Sequence, residues 1–172
     1  MRRKFLIRGS IGLITLLCLG FAVVYIIAQR ATAPVPLGVT NGRLAPCPPT
    51  PNCVSTYSTS PEHAMDSVPF SGDVDKTKDA LLEVVNRYPR TTVLQNDSNY
   101  LHVLFRTPVM GFPDDVEFYL DEATQQIHFR SASRLGRGDL GVNRARMEQI
   151  RADLVVLQLR ATCSPCYTLL RV

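Results

Sequence analysis

The chain has no tryptophan, no internal repeat and only three histidines, His63, His102 and His128. The lack of a repeat leaves an ordinary globular domain to be sought. No motif joins a nucleophile to its base, so an enzyme is not the expected class. Charge is missing where it matters most. Gly9–Gln29 runs for 21 residues without one, and Arg30 closes the run. As a helix this stretch is about 31 Å long, which matches a hydrocarbon core. A secretory signal has a shorter apolar region of about 7–15 residues. Ala31-Thr32-Ala33 imitates a cleavage site, but Pro34 follows it directly, and Leu17 before Cys18 does not suit lipid attachment. An uncleaved anchor is expected, with cleavage as the alternative. Arg2, Arg3, Lys4 and Arg8 before the span, against Arg30 after it, place the N-terminus in the cytoplasm and export the rest.

The exported part also lacks a basic excess. The chain carries 19 Lys+Arg and 15 Asp+Glu, but five of the basic residues flank the span, which leaves 14 basic against 15 acidic. Nucleic acid is therefore not an expected partner. Within the exported part the charge is uneven. Glu62 to Glu122 holds 12 acidic and 5 basic residues, whereas Arg130 to Arg151 holds six arginines against Asp139 and Glu148. The two halves should attract each other inside one fold.

Four cysteines follow the span as two close pairs, Cys47/Cys53 and Cys163/Cys166, and an exported chain keeps disulfides. Four cysteines allow three connectivities. The tight Pro-rich loop favours a local Cys47–Cys53 bridge, while Cys163 and Cys166 either close on each other or reach back to the first pair. A thioredoxin-type role for Cys163-Ser-Pro-Cys166 lacks the helix N-terminus that such a thiol needs. A four-Cys zinc site is allowed by count, but export favours oxidation. No metal and no cofactor are expected.

Four regions follow. Residues 1–30 are the cytoplasmic N-terminus and anchor, and residues 31–61 are a Pro-rich linker with the Cys47/Cys53 loop. Residues 62–160 form one domain, and residues 161–172 carry the last two cysteines. Asp73 caps a helix on which Thr77, Leu81, Val84, Val85 and Tyr88 recur until Pro89. Strand patterns follow at Thr91–Leu94, Tyr100–Arg106, Asp115–Asp121 and Gln126–Ser133, with a further short strand near Ala64–Val68. A last helix begins near Val142 and buries Met147, Ile150, Leu154 and Leu157. The expected fold is α+β: an antiparallel sheet of about four strands with two helices on one face, preceded by the transmembrane helix.

A turn at Glu122–Gln125 fixes a register. Asp121 then faces Gln126, Tyr119 faces His128 and Glu117 faces Arg130, all away from the helices, with His102 on the next strand. This is expected to be the wet side of the sheet. The alternative is a polar pocket able to move protons.

Arg130–Arg146 crowds five arginines and three glycines between a strand and a helix. Gly136-Arg137-Gly138-Asp139-Leu140-Gly141 spells a dinucleotide fingerprint, but no parallel strand follows to complete it. Two readings stay open. Ser133, Arg134, Arg137 and Arg144, beside free N–H groups of the helix start, form a candidate site for a phosphate, sulfate or carboxylate. Alternatively Arg134 and Arg144 pair with Asp114, Asp115 or Asp139, and Asp139 or Asn143 caps the helix. The polar network is then Asp114, Asp115, Glu117, Arg130, Asp139 and Asn143.

Four segments together, Cys47–Ser55, Gly111–Phe118, Arg130–Gly136 and Asp139–Arg146, resemble the domain-of-unknown-function family numbered 1499, found in bacterial envelope and plant plastid proteins. The resemblance spans roughly residues 44–160, with Pro113 as the departure. It implies an extracytoplasmic location, here the periplasmic side of a bacterial inner membrane, and carries over no catalytic role, since the family has no established activity. The expected function is binding or assembly with an envelope protein or a small anionic ligand. A hydrolase using Asp114, Asp115 and the histidines, or a thiol-disulfide protein, are the alternatives.

Overall fold

The computed structural model describes residues 2–163. Helix α1 (Arg2–Arg30) is one uninterrupted run of 29 residues. Its segment Ser10–Arg30 is long and apolar enough to cross a membrane.

Alternation builds the sheet. In β6 (Tyr100–Arg106), β7 (Pro113–Asp121) and β8 (Gln126–Ser133), every second side chain points to one face. Leu101, Val103, Phe105, Val116, Phe118, Leu120, Ile127 and Phe129 are all buried there. Helix α2 (Val74–Asn86) covers that face with Leu81, Val84 and Val85, and α3 (Val142–Cys163) covers it with Met147, Ile150 and Leu154. Full burial of one such side chain contributes roughly 1.5–3 kcal/mol, so this layer is the main source of stability. The Asp73 carboxylate accepts the N–H groups of Asp75 and Lys76, which starts α2 where the sequence places it.

The expectation of about four strands and two helices is corrected. The sheet has six strands in the order β3 (Cys53–Ser55), β8, β7, β6, β5 (Thr91–Asn96), with β4 (Val68–Pro69) also paired to β8. The described residues form three helices, α1 included. The additions are short: β3 pairs Cys53 with Ala132, and β4 pairs Val68 with Ile127. Two or three residues cannot display a period, and their pairing spans 57 to 79 positions, so local pattern gives no warning of them. The antiparallel β5 completes the other edge. Cys47 and Cys53 are disulfide-bonded, which ties the Pro-rich loop to β3. The pairing of Cys163 and Cys166 lies outside the described residues.

The face opposite α2 and α3 is covered too. Residues after α1 run over it as a strap that ends in a hairpin of β1 (Val39–Thr40) and β2 (Arg43–Leu44). Asn41 and Gly42, at φ 52 and 72, make the left-handed turn between them. Leu44 is buried beneath the hairpin. The expected wet side therefore does not exist around β7: Glu117 is 0% and Arg130 1% exposed.

Candidate functional site

Asp114 and Asp115 are neighbours on one strand, so they project to opposite faces. Each anchors a different cluster. On the strap face the register forms as the turn requires, with Tyr119 opposite His128 and Glu117 opposite Arg130. His102 Nε2 lies 2.8 Å from Asp115 Oδ1. Arg134 donates to both oxygens of the same carboxylate, at 2.8 and 2.7 Å. One strand step away, Glu117 accepts from Gly38 N at 2.7 Å, Tyr100 Oη at 2.9 Å and Arg130 Nη1 at 3.2 Å. Two carboxylates and two guanidiniums balance one another in this set. Arg134 also donates to Ala31 O at 2.8 Å, which fastens the strap just past the end of α1. Arg130 Nε finds no protein acceptor.

Burial is the largest single influence on Asp115 and works against its charge. The hydrogen bonds from His102 and Arg134, together with the Arg134 charge, outweigh it and hold the carboxyl below the ordinary range. His128, stacked on Tyr57 with centroids 4.3 Å apart, is also lowered, chiefly by burial with help from Arg43 and against the pull of Asp121. A lowered value in the fold means stability present at high pH and lost as pH falls. We expect the melting temperature to be level near pH 7–8 and to drop first below about pH 6.5 through His128. A second drop, below about pH 4, belongs to Asp115 and to Asp121, whose carboxyl the Thr124 hydroxyl lowers. Thermal scans of the wild type and His128→Gln check this; the first drop should vanish in the variant.

On the helix face Asp114 meets Arg146, with Nη2 to Oδ2 at 2.6 Å. Asn143 is fully buried at the start of α3. Its Oδ1 accepts from Ser131 at 2.5 Å and Arg146 at 2.8 Å, and its Nδ2 faces Asp139 at 2.7 Å, Ser133 at 3.0 Å and Asn52 O at 3.2 Å. The Asp139 carboxylate accepts the N–H groups of Gly141 and Asn143, both at 2.9 Å, so it occupies donors that an anion would use. Arg144 donates to the carbonyls of Glu62 and Ala64. Of the four residues read as an anion site, Arg134 and Arg144 thus hold the fold together, Ser133 accepts from Asn143, and Arg137 stands exposed. Arg146 and Asn52 also belong to the cluster, and no local pattern marks them. Asn52 sits in the Cys47–Ser55 segment, and only the tertiary fold brings it here.

The histidines do not converge. His63 Nδ1 bonds Cys53 O at 2.8 Å, and His128 lies beside Thr56 and Tyr57. Among the described residues no group of three or more His, Cys, Asp or Glu is placed to hold a metal ion.

Several concavities open among the described residues, one of them a polar hollow of about 450 Å³ beside Arg144 and Arg151. A broad groove of about 1110 Å³ lies between the strap, the disulfide loop and the segment carrying Tyr57 and His63. A cavity of about 460 Å³ opens between the loop Thr107–Phe112 and the loop Leu135–Val142. Val109, Met110, Phe112, Leu135, Leu140 and Val142 supply its apolar wall, and Asp114 and Ser133 lie at its base, already bonded to Arg146 and Asn143. The first loop touches the anchor, and the second follows a residue bonded to the strap. A Cβ on Gly111, which has φ 66, would lie 3.0 Å from Gln29 Nε2 and 3.7 Å from Tyr25 Cε2, so the first loop rests on the last turns of α1. Arg134, which directly precedes the second loop, bonds Ala31 O just past the end of α1.

A family model described as a protein of unknown function (DUF1499) matches residues 43–154. No curated protein and no solved structure matches the chain.

Proposed function

The chain belongs to the DUF1499 family, and on that footing we propose that it is a membrane-tethered extracytoplasmic domain that binds a ligand at the junction between β8 and α3. In this reading α1 is an uncleaved anchor in a bacterial inner membrane, with the N-terminus cytoplasmic and the domain periplasmic. One observation carries the binding role: the cavity is walled by two loops, one resting on the last turns of the apolar helix and the other preceded by Arg134, which holds Ala31 O just past the end of that helix. The arginines divide their work. Arg134 and Arg144 hold the junction in shape, and Arg137 on the cavity loop is left to meet an anionic group. Arg137→Cys in the full chain tests the placement. A membrane-impermeant maleimide should label it in spheroplasts, and the intact mass should retain residues 1–30. Labelling only after lysis, or a processed chain, overturns the reading.

A second reading, an acid–base enzyme, is favoured by the His102–Asp115 contact, since a carboxylate that fixes an imidazole tautomer is part of many hydrolytic sites. The paired use of Asp114 with Asp115 finds no support, because the two face opposite sides of the sheet. Among the described residues no hydroxyl or thiol bonds His102. Hydrolysis of an activated ester by the full chain, abolished in His102→Gln, would move the balance toward this reading.

A further inference from the structure

We infer that the cavity between Thr107–Phe112 and Leu135–Val142 takes an acyl chain of a bilayer lipid, admitted from the outer surface of the membrane that α1 crosses. This rests on the tethered reading above and names its ligand. Three observations meet at this place. The wall is apolar, and about 460 Å³ suits a slender apolar ligand, since small-molecule sites run about 300–1,000 Å³.

The rim is apolar where a water-facing rim would be polar. Val109 is 73% exposed, Val142 41%, and Leu140 is fully exposed. Leu140 also holds φ 56, a left-handed conformation that costs a leucine energy and gains it no burial within this chain. Isolated exposed leucines are ordinary, but three apolar residues around one apolar cavity make a patch.

The position is the third observation. Tyr25 and Gln29 lie in the last two turns of the apolar segment Ser10–Arg30, so the loop resting on them stands at the level of the membrane interface. At that depth exposed valine and leucine side chains are surrounded by lipid rather than water. A chain that leaves the leaflet for the cavity exchanges one apolar surrounding for another. Arg137, exposed between two cavity glycines, is placed to meet the lipid phosphate.

The test uses the full chain in nanodiscs of phosphatidylethanolamine and phosphatidylglycerol that contain a phosphatidylglycerol with a diazirine in its acyl chain. After illumination, adducts mapped by mass spectrometry should fall in residues 107–112 and 135–142 as well as on α1. Leu140→Gly relieves the left-handed strain, so its melting temperature should hold or rise. Its loop adducts should fall by about tenfold, the effect of withdrawing one leucine side chain from an apolar contact. Val109→Ser, at an exposed position, should act in the same direction. Adducts confined to α1 overturn the site. Loop adducts from a photoactivatable free fatty acid but none from the phospholipid overturn the bilayer source. The same spectra show whether residues 1–30 are retained. A processed chain sinks the tether, whereas an intact chain without loop adducts sinks the acyl site alone.

Discussion

Glu117→Ala is expected to destabilise the domain by about 3–5 kcal/mol, the range for breaking a buried ion pair from one side. That corresponds to a fall in melting temperature of roughly 10–20 °C for a domain of this size. The magnitude follows from what the change strands. Arg130 is 1% exposed and its Nε already lacks a protein acceptor, so losing Glu117 leaves a guanidinium with no countercharge within bonding distance. The Tyr100 hydroxyl and the Gly38 N–H lose their acceptor as well. Gly38 belongs to the strap, so its loosening should accompany the loss of stability. Hydrogen exchange at Gly38 should then accelerate more than exchange in the core strands. The paired change Glu117→Leu with Arg130→Met removes both charges and should recover much of the loss, because desolvating an ion pair offsets most of what its attraction gains. A loss below about 1 kcal/mol in the single variant would mean that the pair behaves like an exposed one and that the strap does not seal it.

What could be read in the sequence was what a short span of chain decides. The Glu122–Gln125 turn joins two strands directly, so it fixes the pairing of Glu117 with Arg130 before any tertiary contact is considered. Burial of that pair was not legible. It depends on a strap some 80 positions earlier, whose proline-rich composition reads as linker and whose β1–β2 hairpin has strands of two residues each. The arginines show the same division. Arg134 reaches Asp115 as local geometry suggests, since both sit at the same end of adjacent strands. Arg144 and Arg146 are two positions apart on a helix and point in nearly opposite directions, so only one can face Asp114. It is Arg146, while Arg144 turns to the carbonyls of Glu62 and Ala64. The cavity was hidden for a third reason. Val109 and Leu140 are apolar residues in loops, where no period separates a site from a chance exposure. Only the tertiary fold brings them to one cavity.

Asn143→Asp, though nearly isosteric, is expected to be more damaging than Asn143→Ala at the start of α3, and its damage should depend on pH. The native amide reconciles opposite demands: its oxygen accepts from Ser131 and Arg146, while its nitrogen serves Asp139, Ser133 and the Asn52 carbonyl. A carboxylate keeps the first pair of bonds and loses every donor of the second set. It also stands within hydrogen-bonding distance of the Asp139 carboxylate, 2.7 Å in the native geometry. Two like charges at that separation cannot both persist, so one proton should be held at pH values where carboxyls are normally ionised. The sign follows directly. A carboxyl whose value is raised in the fold binds protons better folded than unfolded, so its penalty shrinks as pH falls toward about 4. At neutral pH the loss should be about 3–5 kcal/mol, from a repelled buried charge and unpaired acceptors. Asn143→Ala removes the same donors without adding charge. It should lose about 2–4 kcal/mol, with a pH profile parallel to that of the wild type. Denaturant unfolding of the three proteins at pH 7.5 and pH 5 separates the cases. If Asn143→Asp and Asn143→Ala run parallel across that interval, Asp139 is not the neighbour that sets the junction, and the start of α3 is held by its packing instead.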